Sequence, residues 1–290
     1  MKFSTYAALI GLTNAAGGDY NYDTGNGADW PDPSDPGNFC GSPNQSPIAL
    51  FTEGNAGFTY EIKDAKDDAV TKNYANQRNV EVKVLSDTTK VTLNTNKDPT
   101  TTFAVGNNHY TSNFAKTVFG LDSPKWDALQ FHMHAGSEHT IDGVRHDLEM
   151  HTVHVPDGLG DTVDGGGGFI ASAMGLVFSV DKYTANLSFA EQQVIDIFFD
   201  SMKWDAAGES PTVDLVAYGS LMEMADFNNR WVYKGSVTTP PCAVNVYWNV
   251  LSTIYPIQQR HVDLFKAKLD EGTPGLAAKG NWRMINPING

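Results

Sequence analysis

Along much of this chain apolar and polar residues alternate with a period of two. The segments "NVEVKVL", "KVTLNT", "ALQFHMH", "LEMHTVHV", "ASAMGLVFSV" and "VNVYWNVL" are rich in β-branched or aromatic residues and bounded by turn formers. They predict strands. Helical periodicity is rarer, and "SFAEQQVIDIFFDSM" and "QQRHVDLFKAKLDEG" carry it best. No Pro- or Ser-rich linker, repeat or charge block divides the 290 residues, and "DGGGG" at Asp164–Gly168 reads as a short flexible loop. The pattern predicts a mainly β single domain over residues 19–290, a mostly antiparallel sheet with peripheral helices. Residues 1–18, with one lysine, a short apolar stretch and small residues, read as a weak secretory signal or an N-terminal extension. No apolar run approaches the roughly 20 residues needed to cross a bilayer.

The alternation acquires chemical meaning in "QFHMHAGSEHTIDGVRHDLEMHTVHV", Gln130 to Val155, which gathers most of the chain's eight histidines. On a strand, His132 and His134 share one face while Phe131 and Met133 take the other. On the next strand Glu149, His151 and Val153 share a face opposite Leu148, Met150 and Thr152. Between them Gly136, Gly143 and several turn formers suffice to reverse the chain and lay one strand on the other. His132, His134 and His151 then meet. Histidines in solvent-facing loops often cluster by accident. Three neutral imidazoles at one point nevertheless suit zinc, and a catalytic zinc keeps three protein ligands and a fourth position for water. Neither H-E-x-x-H nor paired C-x-x-C is present, so protease and zinc-finger readings lack their motifs. His139 and His154 are expected to satisfy core hydrogen bonds, and His109, His146 and His261 to lie at the surface.

Charge narrows the partners. Thirty-four acidic residues face twenty basic ones, a formal net of −14. Nucleic acid and anionic membranes are poor partners for such a surface. An acidic surface is a solubility device by default, and this excess also fits work in concentrated salt, where screening removes the self-repulsion. The two cysteines, Cys40 and Cys242, are far apart in sequence. They could be buried free thiols, or a disulfide that would imply an oxidising compartment.

Several blocks together resemble an α-class carbonic anhydrase: "NQSPIAL", "QFHMHAGSEHTIDG", "DLEMHTVHV", "GLVFSV", "GSVTTPPC", "VYWNV" and "NWRMINP", in that order. The resemblance implies a twisted sheet of about ten mostly antiparallel strands with zinc at the floor of a cone. It also implies reversible hydration of CO2 to bicarbonate and a proton, by zinc-bound hydroxide. His132, His134 and His151 would be the ligands, and Gln130, Glu149 and the backbone of Asn281 would accept from their free nitrogens. Thr238 would accept from the hydroxide and donate to Glu138, and Thr239 would lie beside bicarbonate. Val153, Val237 and Trp248 would form the apolar wall for CO2, with Ala173 smaller than the family's usual residue and the pocket roomier for it. Thr89 falls where many members carry a proton-shuttling histidine, and threonine cannot titrate near neutrality. The chain also ends soon after "NWRMINPING", short of a final strand that many members have. Cys40 and Cys242 match positions where secreted members place a disulfide, which implies an extracellular or periplasmic protein. A silent binding domain of the same fold and a zinc esterase are the rival readings. All three histidines, Glu138 and Thr238 argue against the first, and no dedicated acyl pocket is evident for the second.

Overall fold

The computed structural model describes residues 20–53, 63–64, 68, 70–93, 108–113, 125–156, 169–206 and 210–287. Residues 1–18 and the loop Asp164–Gly168 lie outside the described residues. The first strands are β1 (Ala49–Leu50), β2 (Lys63–Asp64), β3 (Val70–Asn73), β4 (Gln77–Val84), β5 (Thr89–Thr92), β6 (His109–Ser112) and β7 (Lys125–His134). Then come β8 (Thr140–Ile141), β9 (Val144–Arg145), β10 (Leu148–Pro156), β11 (Ala171–Ser179), β12 (Thr212–Val216), β13 (Arg230–Ser236) and β14 (Val244–Pro256). The helices are α1 (Phe189–Ser201), α2 (Tyr218–Met224), α3 (Gln259–Gly272) and the short α4 (Leu276–Lys279).

One 11-stranded sheet dominates, in the order β12-β4-β5-β7-β10-β11-β14-β13-β2, with β6 also beside β7 and β3 beside β6. Among the described residues the expected mostly antiparallel pairing holds within this sheet except that β11 and β14 run parallel; β1 also runs parallel to β8, in a separate three-stranded sheet with β9. The long excursion between β11 and β14, through α1, β12, α2 and β13, supplies the crossover that parallel pairing requires. β7 and β10 lie in the interior of the sheet, and all but one residue of β10 is buried. A strand covered on both faces reads as near-continuously buried.

The two faces of this central pair have different contents. One is core: Phe131 stacks on Tyr218 of α2 at 4.8 Å with rings 3° from parallel, and Phe198 of α1 packs beside it. Ser188 starts α1 with a reciprocal cap, its backbone N–H donating to the Glu191 carboxylate while its hydroxyl accepts from the Glu191 N–H. The other face carries the histidines. A disulfide joins Cys40 to Cys242 across 202 residues, fastening the N-terminal segment to the turn that holds Thr238 and Thr239. No helix among the described residues is long and apolar enough to cross a membrane.

Candidate metal centre

The antiparallel ladder sets His151 directly opposite His132, and His134 opposite Glu149. The three rings lie 4.6–5.4 Å apart, centre to centre. One nitrogen from each falls within 4.8 Å of the others. Each ring's second nitrogen is already committed. His132 Nδ1 lies 2.9 Å from Gln130 Oε1, His134 Nδ1 lies 2.7 Å from the Asn281 carbonyl, and His151 Nε2 lies 2.9 Å from Glu149 Oε1. Those acceptors fix the protonated nitrogen and aim the other into the shared space. His134 Nε2 is buried there without a hydrogen-bond partner. Burial foremost, with the neighbouring histidines, holds the His132 pKa well below its ordinary value, and burial lowers that of His151. Both rings are therefore neutral, the form that binds a metal. An orphaned buried nitrogen within a converging set of three imidazoles fits zinc.

Glu149 supports more than one ring. Its Oε1 also lies 2.7 Å from His139 Nδ1, its Oε2 accepts from the His139 backbone at 2.8 Å, and His139 Nε2 meets the Tyr233 hydroxyl at 2.7 Å. Burial raises the Glu149 pKa, but His139 and His151 outweigh it and hold the carboxyl well below the usual range. Room for this carboxylate comes from Gly175, which pairs with His151 from β11: a Cβ there would stand 2.8 Å from Glu149 Oε1. Neither Gly175 nor the strut from Tyr233 was legible from strand periodicity.

Glu138 is fully buried beneath the same rings. Its Oε1 accepts from the Arg283 backbone at 2.9 Å, while Oε2 is buried without a partner. Thr238 is buried as well, and Glu138 Oε2 receives no hydrogen bond from it. Arg283, in the block "NWRMINP", ties two parts of the chain together. Its guanidinium donates to Gln45 Oε1 and to the carbonyls of Ser46 and Cys40, so it links the disulfide-bonded segment to the backbone that holds Glu138.

Beside the histidines is a small chamber of about 30 Å³ lined by Val153, Ala171, Ala173, Val237, Thr238 and Trp248. A water needs about 10–15 Å³ by this measure, so the space suits a very small molecule. Trp248 is fixed by its indole N–H to the Ser236 carbonyl at 2.8 Å and stands edge-on to His151 at 4.8 Å.

Other sequence expectations are corrected. Thr89 is fully buried, and its hydroxyl has no partner. Ladder partners on antiparallel strands share a face, and it is Lys90, not Thr89, that stands opposite His132. Thr89 therefore faces away from the site. His146 and His261 are buried rather than superficial, at 6% and 1% exposure, His261 lying against Phe199 of α1. His109 is half-buried on β6. His154 makes its expected core contact, with the Tyr74 hydroxyl at 2.8 Å.

A sequence model of the eukaryotic-type carbonic anhydrase family matches residues 26–290. A carbonic anhydrase of Nostoc sp. is 30% identical over 169 residues, covering 57% of this chain and 52% of that protein. Mouse carbonic anhydrase 15 is 32% identical over 184 residues, covering 59% and 55%. The chain thus spans about half the length of the curated relatives it matches. Among solved structures, the α-carbonic anhydrase of Photobacterium profundum superposes with a TM-score of 0.56 at 20% identity, covering 86% of this chain and 88% of that one. Dioscorin complexed with ascorbate superposes with a TM-score of 0.61, also at 20% identity, covering 94% and 95%. At such identities the superpositions establish the fold alone, and one fold hosts many functions. The family match, spanning the histidine pair, the Glu138 block and the Thr238 turn, is the stronger finding: this chain belongs to the eukaryotic-type carbonic anhydrase family.

Proposed function

We propose that the chain holds zinc through His132, His134 and His151 and catalyses the reversible hydration of CO2 to bicarbonate and a proton. The observation that carries this reading is the convergence of three imidazole nitrogens, each backed by an acceptor on its other nitrogen, beside a small apolar chamber. As is established for carbonic anhydrase generally, zinc lowers the pKa of a bound water to about 7. The protein's residues do the rest. Gln130, Glu149 and the Asn281 carbonyl orient the three rings. Val153, Ala173, Val237 and Trp248 offer a nonpolar wall to a nonpolar substrate. Glu138 Oε2 is the open acceptor for the Thr238 hydroxyl. A Thr238 proton committed to Glu138 leaves its oxygen able only to accept, so it orients the attacking water and disfavours ligands that cannot donate. Thr239 lies in the same turn and is the contact for bicarbonate.

The Cys40–Cys242 disulfide supports an extracellular or periplasmic location, where such bonds persist. The net charge of −14 supports function in concentrated salt. Stopped-flow CO2 hydration before zinc chelation, after it, and after zinc is restored tests the catalytic reading. Activity that disappears and returns with the metal is expected. Inactive zinc-loaded protein would favour a silent binding domain.

A further inference from the structure

Alternation along β4 and β5 puts charged side chains on the metal side of the sheet. Lys83 stands opposite Lys90, Lys90 opposite His132, and His132 opposite His151. Ladder partners share a face, so two lysines and two of the converging histidines form one row across four adjacent strands. The alternate residues Val82, Val91 and Phe131 turn to the other face and are fully buried in the core. A slip of one residue would expose that set, so the face taken by the lysines is fixed. Lys83 is exposed and Lys90 half-buried, and the row therefore runs from solvent towards the metal centre. Neighbouring strands lie about 4.8 Å apart, which puts the Lys83 backbone about 10 Å from that of His132 and the Lys90 backbone at half that distance.

This row is at odds with the rest of the molecule. A net charge of −14 repels anions in general. Two acidic groups border the lysines: Glu81, two residues before Lys83 on the same face, and Asp87, in the turn between β4 and β5. Burial foremost raises the Asp87 pKa, opposed by the Tyr20 hydrogen bond, His134 and Lys90. Burial and then Lys83 lower the Lys90 pKa, and Asp87 raises it. The Lys90 charge is felt at the site itself. After burial and the two neighbouring histidines, it is a further influence that lowers the His132 pKa.

We infer that Lys83 and Lys90 form a cationic approach that recruits small monovalent anions, bicarbonate first among them, to the metal centre of a protein whose overall charge repels them. The inference rests on the CO2-hydration reading, in which bicarbonate is the product and the substrate of the reverse reaction. The lysines act through charge alone. Neutral CO2 gains nothing from them, an anion at the centre is held more tightly, and a metal dication there is held less tightly. Their range of about 10 Å matches the Debye length at 0.1 M salt and exceeds the 3 Å left at about 1 M.

Lys83→Gln/Lys90→Gln tests the row in full-length protein. Thiocyanate is the anion probe, and its binding to zinc-loaded protein is read from the shift of its C≡N stretching band in the infrared. At low salt the double variant should bind thiocyanate roughly 4-fold more weakly, twofold for each charge removed at that range in water. The zinc-free double variant should take up zinc roughly 10-fold more tightly in chelator competition, because the ion carries two positive charges. Both differences should vanish near 1 M ionic strength. Opposite signs for anion and cation separate a field effect from damage to the site, which would weaken both. Lys203→Gln removes an exposed charge beyond the end of α1 and should leave both affinities at parental values. A double variant with parental thiocyanate affinity at low salt overturns the approach, as does one that loses zinc and thiocyanate alike. An effect of Lys203→Gln of the same size per charge overturns it too. A zinc-loaded parent that binds thiocyanate in this lysine-dependent way yet hydrates no CO2 would instead overturn the proposed function.

Discussion

His132 and His151 are cross-strand partners on β7 and β10, their rings 5.4 Å apart and edge to face. This pairing depends on register, because a slip of one residue would turn one of the two histidines to the opposite face. Phe131, Met133 and Met150, all fully buried on the far face, fix that register by packing into the core. The same alternation therefore builds the hydrophobic interior and aims the metal-binding side chains.

The contact between Gly175 and Glu149 gives the sharpest structural prediction. A methyl at Gly175 displaces Glu149 Oε1 from its bonds to both His139 and His151. Loss of such supporting bonds typically costs 10- to 100-fold in metal affinity, so Gly175→Ala should weaken zinc binding by about that factor. Competition with a chelator measures it. Parental zinc affinity would show that Glu149 has room to move.

Thr238→Ala separates metal binding from chemistry. The variant should retain zinc and lose about 10²-fold in kcat, the scale for one oriented hydrogen bond in the transition state. An unchanged rate would place water orientation in another residue.

Cys40→Ser opens the disulfide, which should contribute about 2–4 kcal/mol through loop closure. Thiol titration of denatured, unreduced parent should find no free cysteine, and denaturant unfolding should report the lost stability. Equal midpoints for parent and variant would contradict the assignment.

His154 predicts a pH dependence. It is completely buried against Tyr74 and Tyr110, and burial lowers its pKa to about 3. The unfolded chain binds a proton near pH 6.5 that the native state refuses. Its contribution to stability is therefore full above pH 6.5 and is lost as pH falls towards 3. At pH 4.5 the loss from this group is about 2–3 kcal/mol, at 1.36 kcal/mol per pH unit. Urea unfolding should show a smaller decline between pH 7 and 4.5 in His154→Gln than in the parent. Identical declines would mean that other groups dominate.

The acidic surface predicts that the melting temperature rises with salt and that hydration persists into molar sodium chloride. At about 1 M the Debye length is about 3 Å, so surface repulsion is largely screened. A near-neutral carbonic anhydrase in the same salt series is the control. Equal losses of activity in both would leave the charge as a solubility feature.

The sequence carried β4, β5, β7, β10, β11 and β14 and the common face of His132, His134 and His151, because period-two alternation reports faces directly; it did not carry β13. It did not carry the parallel partnership of β11 with β14, which depends on a long crossover rather than on either strand's composition. Gly175 and Arg283 were illegible as site residues because each acts through a partner distant in sequence, respectively Glu149 and Cys40. The burial of Thr89 on the face away from His132 was illegible because its short strand carries no motif that reports which face each residue takes.

Zinc content and CO2 hydration, measured together on the parent and on His151→Ala, test the central claim most directly. The parent should hold about one zinc per chain and hydrate CO2 in stopped flow, and the variant should lose both. A His151→Ala protein that hydrates CO2 at the parental rate would contradict the three-histidine centre and the function built on it.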